Sequence, residues 1–195
     1  MIEKIHVIDN VIPKKYQNYL ETNILSRDFP WYFVPNITLA TEGENQLSTD
    51  AIGLSHTFID IETGSMSFAT EKLTPLLIRC CEKIGVKPKG VYWGRVFMTI
   101  SNGRVIRTLF HTDMDIPHLV CLYYINDSTG PTVMLSKTYE EFTPEEINAE
   151  DQSQFITHEI EPKKGRVVFF DGRHYHASTT PAQGRRCTIN FDVQI

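Results

Sequence analysis

His111 and Asp113 stand two residues apart in Phe110-His111-Thr112-Asp113, and two more histidines follow later in Phe170-Asp171-Gly172-Arg173-His174-Tyr175-His176. Alternate residues of an extended chain share a face, so His111 and Asp113 can sit side by side at the end of a strand. An imidazole from a later strand would complete a set of two nitrogens and one carboxylate on one face of an octahedral ion. Such a set leaves three positions free, which suits a non-haem Fe(II) centre that must also bind oxygen. His174 and His176 lie on the same strand face, so parity alone does not choose between them. An H-x-D pair is common in sequences of this composition, and the hypothesis stands only if other elements deliver partners to it.

The bulk properties permit such a site and exclude several others. A chain of 195 residues, with 41% hydrophobic and 22% charged residues, is long enough to bury one good core and is expected to form one domain, residues 1–195. The net charge of −5, without a basic run, argues against binding nucleic acid through its phosphates. No apolar run approaches membrane-spanning length, and the first ten residues lack the apolar stretch of a signal peptide. Cys80, Cys81, Cys121 and Cys187 sit in apolar contexts without paired spacing, which predicts buried free thiols and an intracellular, cytoplasmic protein.

The elements that must position the site change character along the chain. Residues 1–90 read as a supporting region. Ile5 to Asp9 alternates as a short strand, and Pro13 opens a helix with Tyr16, Tyr19, Leu20 and Ile24 on one face. Trp31, Tyr32 and Phe33 read as core aromatics, and Asn36 to Ser55 as a long polar loop that could act as a lid. Phe68, Leu73, Leu76, Leu77, Cys80, Cys81 and Ile84 recur at helical spacing, with Pro75 predicting a kink or a fresh start. From Val91 the period becomes two. Val91 to Ser101 and Arg104 to His111 are expected to form a hairpin about Asn102-Gly103. Further strands are expected at 118–126, 132–135, 155–160, 166–170 and 186–193, and a capped helical turn at Thr143-Pro144-Glu145-Glu146. Helices followed by about eight strands predict an α+β, mainly β, architecture: a jelly roll with its helices packed on one face.

The last strand carries a second chemical signal. Arg186, Thr188, Asn190 and Asp192 share one face, and Cys187, Ile189, Phe191 and Val193 the other. A polar face turned into a small barrel implies a working interior, whereas turned outward it would merely meet solvent. Arginine pairs bidentately with carboxylate, so Arg186 with Thr188 could hold one end of a dicarboxylate.

Taken together, His111-x-Asp113, Cys121-Leu122-Tyr123-Tyr124-Ile125-Asn126, Phe169-Phe170 leading to His176, and Arg186 resemble the Fe(II)/2-oxoglutarate-dependent oxygenases, in particular their prolyl-hydroxylase-like branch. The likeness covers residues 91–195, and the opening Val7-Ile8-Asp9 before a helix is similar to small phage and bacterial members. The resemblance implies a double-stranded β-helix core, with His111, Asp113 and His176 as metal ligands and catalytic centre. It implies that Arg186 clamps the far carboxylate of 2-oxoglutarate, assisted by Tyr124 and Thr188, while Tyr123 packs on the other side. Fe(II), 2-oxoglutarate and O2 are the implied cofactors, with ascorbate as reductant. His174, Asp115 and His118 fall outside the ligand positions. Two departures stand out: Thr129-Gly130-Pro131-Thr132 replaces a Gly-Gly pair, and Arg185 competes by spacing with Arg186, which the Arg-x-Thr face favours.

The implied reaction is hydroxylation of an unactivated C–H with release of succinate and CO2, on a prolyl or other peptidyl or amino-acid side chain. Candidate substrate contacts are the loop 36–55, the strand Val91 to Met98 with Tyr92, Trp93 and Arg95, and the turn Met114 to Pro117. Competing readings are an oxygenase of small metabolites and a cupin-like metal-binding module without enzyme activity, for which Arg186 would be dispensable.

Overall fold

The computed structural model describes residues 4–34, 52–149 and 151–195. Its strands are β1 (His6–Ile8), β2 (Tyr32–Val34), β3 (Gly53–Asp60), β4 (Ser65–Met66), β5 (Gly90–Ile100), β6 (Leu119–Tyr124), β7 (Thr132–Thr138), β8 (Ile156–Ile160), β9 (Val167–Asp171), β10 (His174–Ser178) and β11 (Arg185–Gln194). Its helices are α1 (Lys14–Ile24), α2 (Ala69–Lys83) and α3 (Pro144–Ala149). All pairings are antiparallel: a large sheet in the order β1-β9-β6-β11-β5-β3-β2, with β4 on β3, and a small sheet in the order β10-β7-β8.

Side-chain alternation along the central strands explains the layering. In β6, Leu119, Cys121 and Tyr123 join one core, whereas Val120, Leu122 and Tyr124 join another. Strand β9 divides likewise, Val167 and Phe169 against Val168 and Phe170. The first core is closed by Leu20 and Ile24 of α1 and by Leu73, Leu76, Leu77, Cys80 and Cys81 of α2. The second is closed by Met134 and Ile160 of the small sheet. Each fully buried Val, Leu or Phe contributes about 1.5–3 kcal/mol, so the double-faced strands β6 and β9 anchor both layers at once. A third cluster, Phe110, Val133, Leu135, Ile147, Tyr175 and Ala177, packs α3 on the outside of the small sheet. The arrangement is a mainly β double-stranded β-helix with α1 and α2 against one face, and the four cysteines are free and buried.

Several local expectations need correction. Arg104 to His111 is not a hairpin partner of β5, which pairs with β11 and β3 instead. Asn102-Gly103 does turn the chain, with Gly103 at φ 83°, but the segment beyond it crosses to β10 and the residues after it, which it meets in isolated bridges at Arg107–Thr179 and His111–His176. Tyr19, Tyr32 and Phe33 are exposed rather than core, and Gln17 is the buried polar residue of α1, donating to Ile12 O at 2.9 Å. Helix α2 runs unbroken through Pro75. Eleven strands are present among the described residues instead of about eight, because β2, β3 and β4 extend the large sheet ahead of α2. Of the loop expected at 36–55, residues 53–55 belong to β3, and the part from 36 to 51 lies outside the described residues. The capped turn at Thr143 is a reciprocal box: Glu146 accepts from Thr143 N (2.8 Å), and Thr143 Oγ1 accepts from Glu146 N (3.3 Å). No helix among the described residues is long and apolar enough to cross a membrane.

Candidate metal centre and anion clamp

His111 and His176 exchange a pair of backbone hydrogen bonds, 3.0 and 2.9 Å, between segments that also pair near Arg107 and Thr179. The bridge sets the two rings side by side, with centroids 4.5 Å apart. The register between β10 and β7 shifts between His174 and His176, and it is His176 whose backbone and ring meet those of His111. Each ring is turned by its own chain. His111 Nδ1 lies 3.1 Å from Leu109 O and His176 Nδ1 3.3 Å from His174 O. A carbonyl only accepts, so each Nδ1 carries the proton and each Nε2 presents a bare lone pair. Asp113 Oδ2 stands 3.5 Å from His176 Nε2.

The three ligand atoms of His111, Asp113 and His176 lie within 4.8 Å of one another. Their chemistry fits a divalent ion: two imidazoles fixed in the ligating tautomer, one ionised carboxylate, and an open side. Burial drives the His176 pKa down to about 4, with His111 adding to the effect, so the ring is neutral near pH 7 and free to ligate. Burial opposes ionisation of Asp113, but His176, Arg95 and His111 outweigh it and hold the carboxyl below the ordinary range. Asn148 of α3 steadies the neighbouring backbone, accepting from Phe110 N and donating to Phe110 O, each at 2.9 Å.

The same cavity, about 280 Å³, runs from these ligands to Arg186. The inner face of β11 lines it with Arg186, Thr188 and Asn190, so the polar face points inward and not to solvent. Arg186 is 5% exposed, whereas Arg185 is exposed on the other face. Arg186 Nε donates to Gly130 O at 3.1 Å and Nη2 to Thr132 Oγ1 at 2.7 Å, and the guanidinium lies 5.4 Å from the Tyr124 ring centre. No carboxylate among the described residues pairs with it. A buried cation without a counter-charge is costly unless something else supplies the anion. Thr132 shares a 2.6 Å hydrogen bond with Tyr124, whose phenol burial keeps protonated. Thr132, not Tyr124, lines the cavity, so Tyr124 reaches a ligand there through Thr132. Leu122 and Phe170 form the apolar wall between the two ends.

Of the expected substrate contacts, Arg95 reaches the cavity, whereas Tyr92, Trp93 and residues 114–117 do not line it. Asp115 is exposed, and His174 is half-buried and outside the cavity. His118 is fully buried: its Nδ1 lies 2.7 Å from Ile116 O, and Gly172 leaves it room, since a Cβ there would come within 2.1 Å of Nε2. The sequence reading missed Thr132 and gave Arg95 no role in the centre. Arg95 bonds Asp113 across a separation in the chain that no local pattern betrays.

No protein-family profile and no curated protein matches the sequence. Solved structures do match in fold. A Pseudomonas putida prolyl-4-hydroxylase superposes with TM-score 0.60 at 12% identity, over 98% of this chain and 92% of that one. A Burkholderia pseudomallei oxidoreductase of the 2OG-Fe(II) oxygenase family gives 0.62 at 10%, over 97% and 85%. A Trichoplax adhaerens prolyl hydroxylase, solved with a hypoxia-inducible-factor oxygen-degradation-domain peptide fragment, gives 0.57 at 15%, over 97% and 83%. The chain has the double-stranded β-helix fold of the 2OG-Fe(II) oxygenases.

Proposed function

We propose that the protein is an Fe(II)- and 2-oxoglutarate-dependent oxygenase that hydroxylates an unactivated C–H, with a prolyl or other peptidyl or amino-acid side chain as its substrate class. One observation carries the reading: Arg186, a buried cation with no counter-charge among the described residues, shares a cavity with His111, Asp113 and His176. A ligand that meets both ends must have a metal-chelating head and a distal anion, which describes 2-oxoglutarate. The fold likeness supports the reading, and the peptide in the Trichoplax structure supports a peptidyl substrate.

His111, Asp113 and His176 hold the metal ion, and the whole chain acts as one catalytic domain. When bound, iron and 2-oxoglutarate supply the oxidising power, consuming O2 and yielding succinate and CO2, with ascorbate as the reductant that keeps the iron ferrous. The protein positions and shields. Arg186 binds the far carboxylate with the donors it does not spend on Gly130 and Thr132. Thr132 and Thr188 orient that end, and Tyr124, locked to Thr132, keeps Thr132 in place. Leu122 and Phe170 exclude water from the carbon chain between, and Phe170 also meets the His176 ring edge-on at 4.9 Å. No side chain is needed as nucleophile or general base.

Thermal unfolding with Mn(II), with and without 2-oxoglutarate, tests this. A ligand at 100 times its Kd stabilises the native state by about 2.7 kcal/mol, a rise in Tm of roughly 5–10 °C for a domain of this size. The expected result is a 2-oxoglutarate shift that requires metal and is lost in His176→Ala. Stabilisation by metal with no further effect of 2-oxoglutarate would indicate a binding module instead.

A further inference from the structure

We propose that Arg95 is a positioning residue of the metal centre, holding Oδ1 of Asp113 so that the carboxylate offers Oδ2 alone to the ion. The inference rests on the reading of His111, Asp113 and His176 as ligands. Arg95 Nη2 donates to Asp113 Oδ1 at 3.1 Å and to Asp192 Oδ2 at 2.9 Å. Its guanidinium carbon lies 4.6 Å from the Trp93 ring centre and 5.5 Å from that of Phe97, which fixes it from the sides. Asn190 Nδ2 lies between the same two carboxylates, 3.3 Å from Asp113 Oδ2 and 3.2 Å from Asp192 Oδ1. Asp192 is fully buried on β11, at the centre of the large sheet, and gives the chain of contacts a rigid base. Asp113 therefore cannot rotate without breaking contacts to both Arg95 and Asn190.

Two further observations point the same way. Arg95 Nε is buried without a hydrogen-bond partner, so the guanidinium is held where it is by the two carboxylates and not by its own full satisfaction. In addition, Asp113, His118 and Asp192 form a second group whose ligand atoms lie within 4.8 Å of one another. The guanidinium bonds both carboxylates of that group and supplies its cation. Arg95 thus also confines the metal to the His111–His176 side of Asp113.

The test uses Arg95→Met/Asp192→Asn, which removes the guanidinium together with the buried carboxyl group that it bonds. Mn(II) binding is measured by calorimetry, and the ligand field is read from the visible spectrum of the Co(II)-substituted protein. The wild type is expected to bind one Mn(II). The double variant is expected to bind about 10–100-fold more weakly, the usual cost of losing a partner that orients a ligand, and to show an altered Co(II) spectrum. Its metal-free Tm should stay close to that of the wild type, which separates positioning from general structural damage. Arg95→Lys keeps the charge but places its ammonium one atom short of Nη2, and should fall between the two. A folded double variant with wild-type affinity and spectrum overturns the inference and leaves the ligand assignment intact. Should the double variant fail to fold, an unchanged Kd in Arg95→Lys overturns it equally, and a severalfold weaker one supports it. Failure of the wild type to bind Mn(II) removes the ligand assignment, and this inference with it.

Discussion

Arg186→Met abolishes 2-oxoglutarate binding to the metal-loaded protein while leaving metal binding nearly unchanged. The far carboxylate would otherwise enter a site from which water is largely excluded, and without the guanidinium it is left there uncompensated. Breaking a buried ion pair from one side costs about 3–5 kcal/mol, which weakens binding by at least ~100-fold. Methionine keeps most of the side-chain volume, so the packing against Tyr124 survives. Free of ligand, the variant should be as stable as the wild type or more so, because it no longer buries a charge that has no counter-charge among the described residues. Arg185→Met is the control: its side chain is exposed outside the cavity, so 2-oxoglutarate affinity should stay within about twofold. Calorimetric titration of the Mn(II)-loaded variants measures both. Equal losses at Arg185 and Arg186 would mean that general surface charge, not a clamp, draws the anion.

Gly130→Ala unfolds the anion end of the cavity from the backbone. Gly130 has φ 88°, and a Cβ there would lie 2.4 Å from Thr179 O and 2.8 Å from Thr180 O. Both neighbours are main-chain atoms. Thr179 is tied through its N–H to Pro131 O at 3.0 Å, so it cannot retreat without breaking that bond. Left-handed backbone costs a non-glycine residue about 1–2 kcal/mol and overpacking about 1–3 more. A loss of roughly 3–4 kcal/mol would lower Tm by about 10 °C. Because Gly130 O accepts from Arg186 Nε, the surviving folded protein should also bind 2-oxoglutarate more weakly. Gly103→Ala isolates the first contribution: it shares a positive φ of 83° but has nothing within 4 Å of its Cβ, so only the conformational cost remains. Similar Tm losses for the two would show that the contact with Thr179 and Thr180 carries no weight.

The inner face of β11 was legible because strand parity sorts Arg186, Thr188, Asn190 and Asp192 from the apolar residues between them, and both faces of that strand are buried. The resemblance joins His111, Asp113 and His176 from segments distant in the chain, and in the fold these three side chains lie together. Choosing His176 over His174 from the residues alone needs the backbone bridge that sets His176 opposite His111, which parity cannot express. The hairpin at Asn102-Gly103 misled for a related reason. The local turn signal is genuine, but what the chain pairs with afterwards is decided by the small sheet. Arg95 was invisible as part of the centre, since its carboxylate partners, Asp113 and Asp192, come from other segments. The replacement of a Gly-Gly pair by Thr129-Gly130-Pro131-Thr132 reads as a departure in sequence. In the fold, Gly130 and Thr132 are the two residues that grip Arg186.

If one cavity binds a metal ion and a dicarboxylate together, titration of 2-oxoglutarate into the wild-type protein with and without Mn(II) will show the two sites as coupled. One molecule should bind per chain, tightly with Mn(II) and at least about tenfold more weakly without it, since chelation is then lost. Binding of equal strength in the absence of metal, or none in its presence, would contradict it.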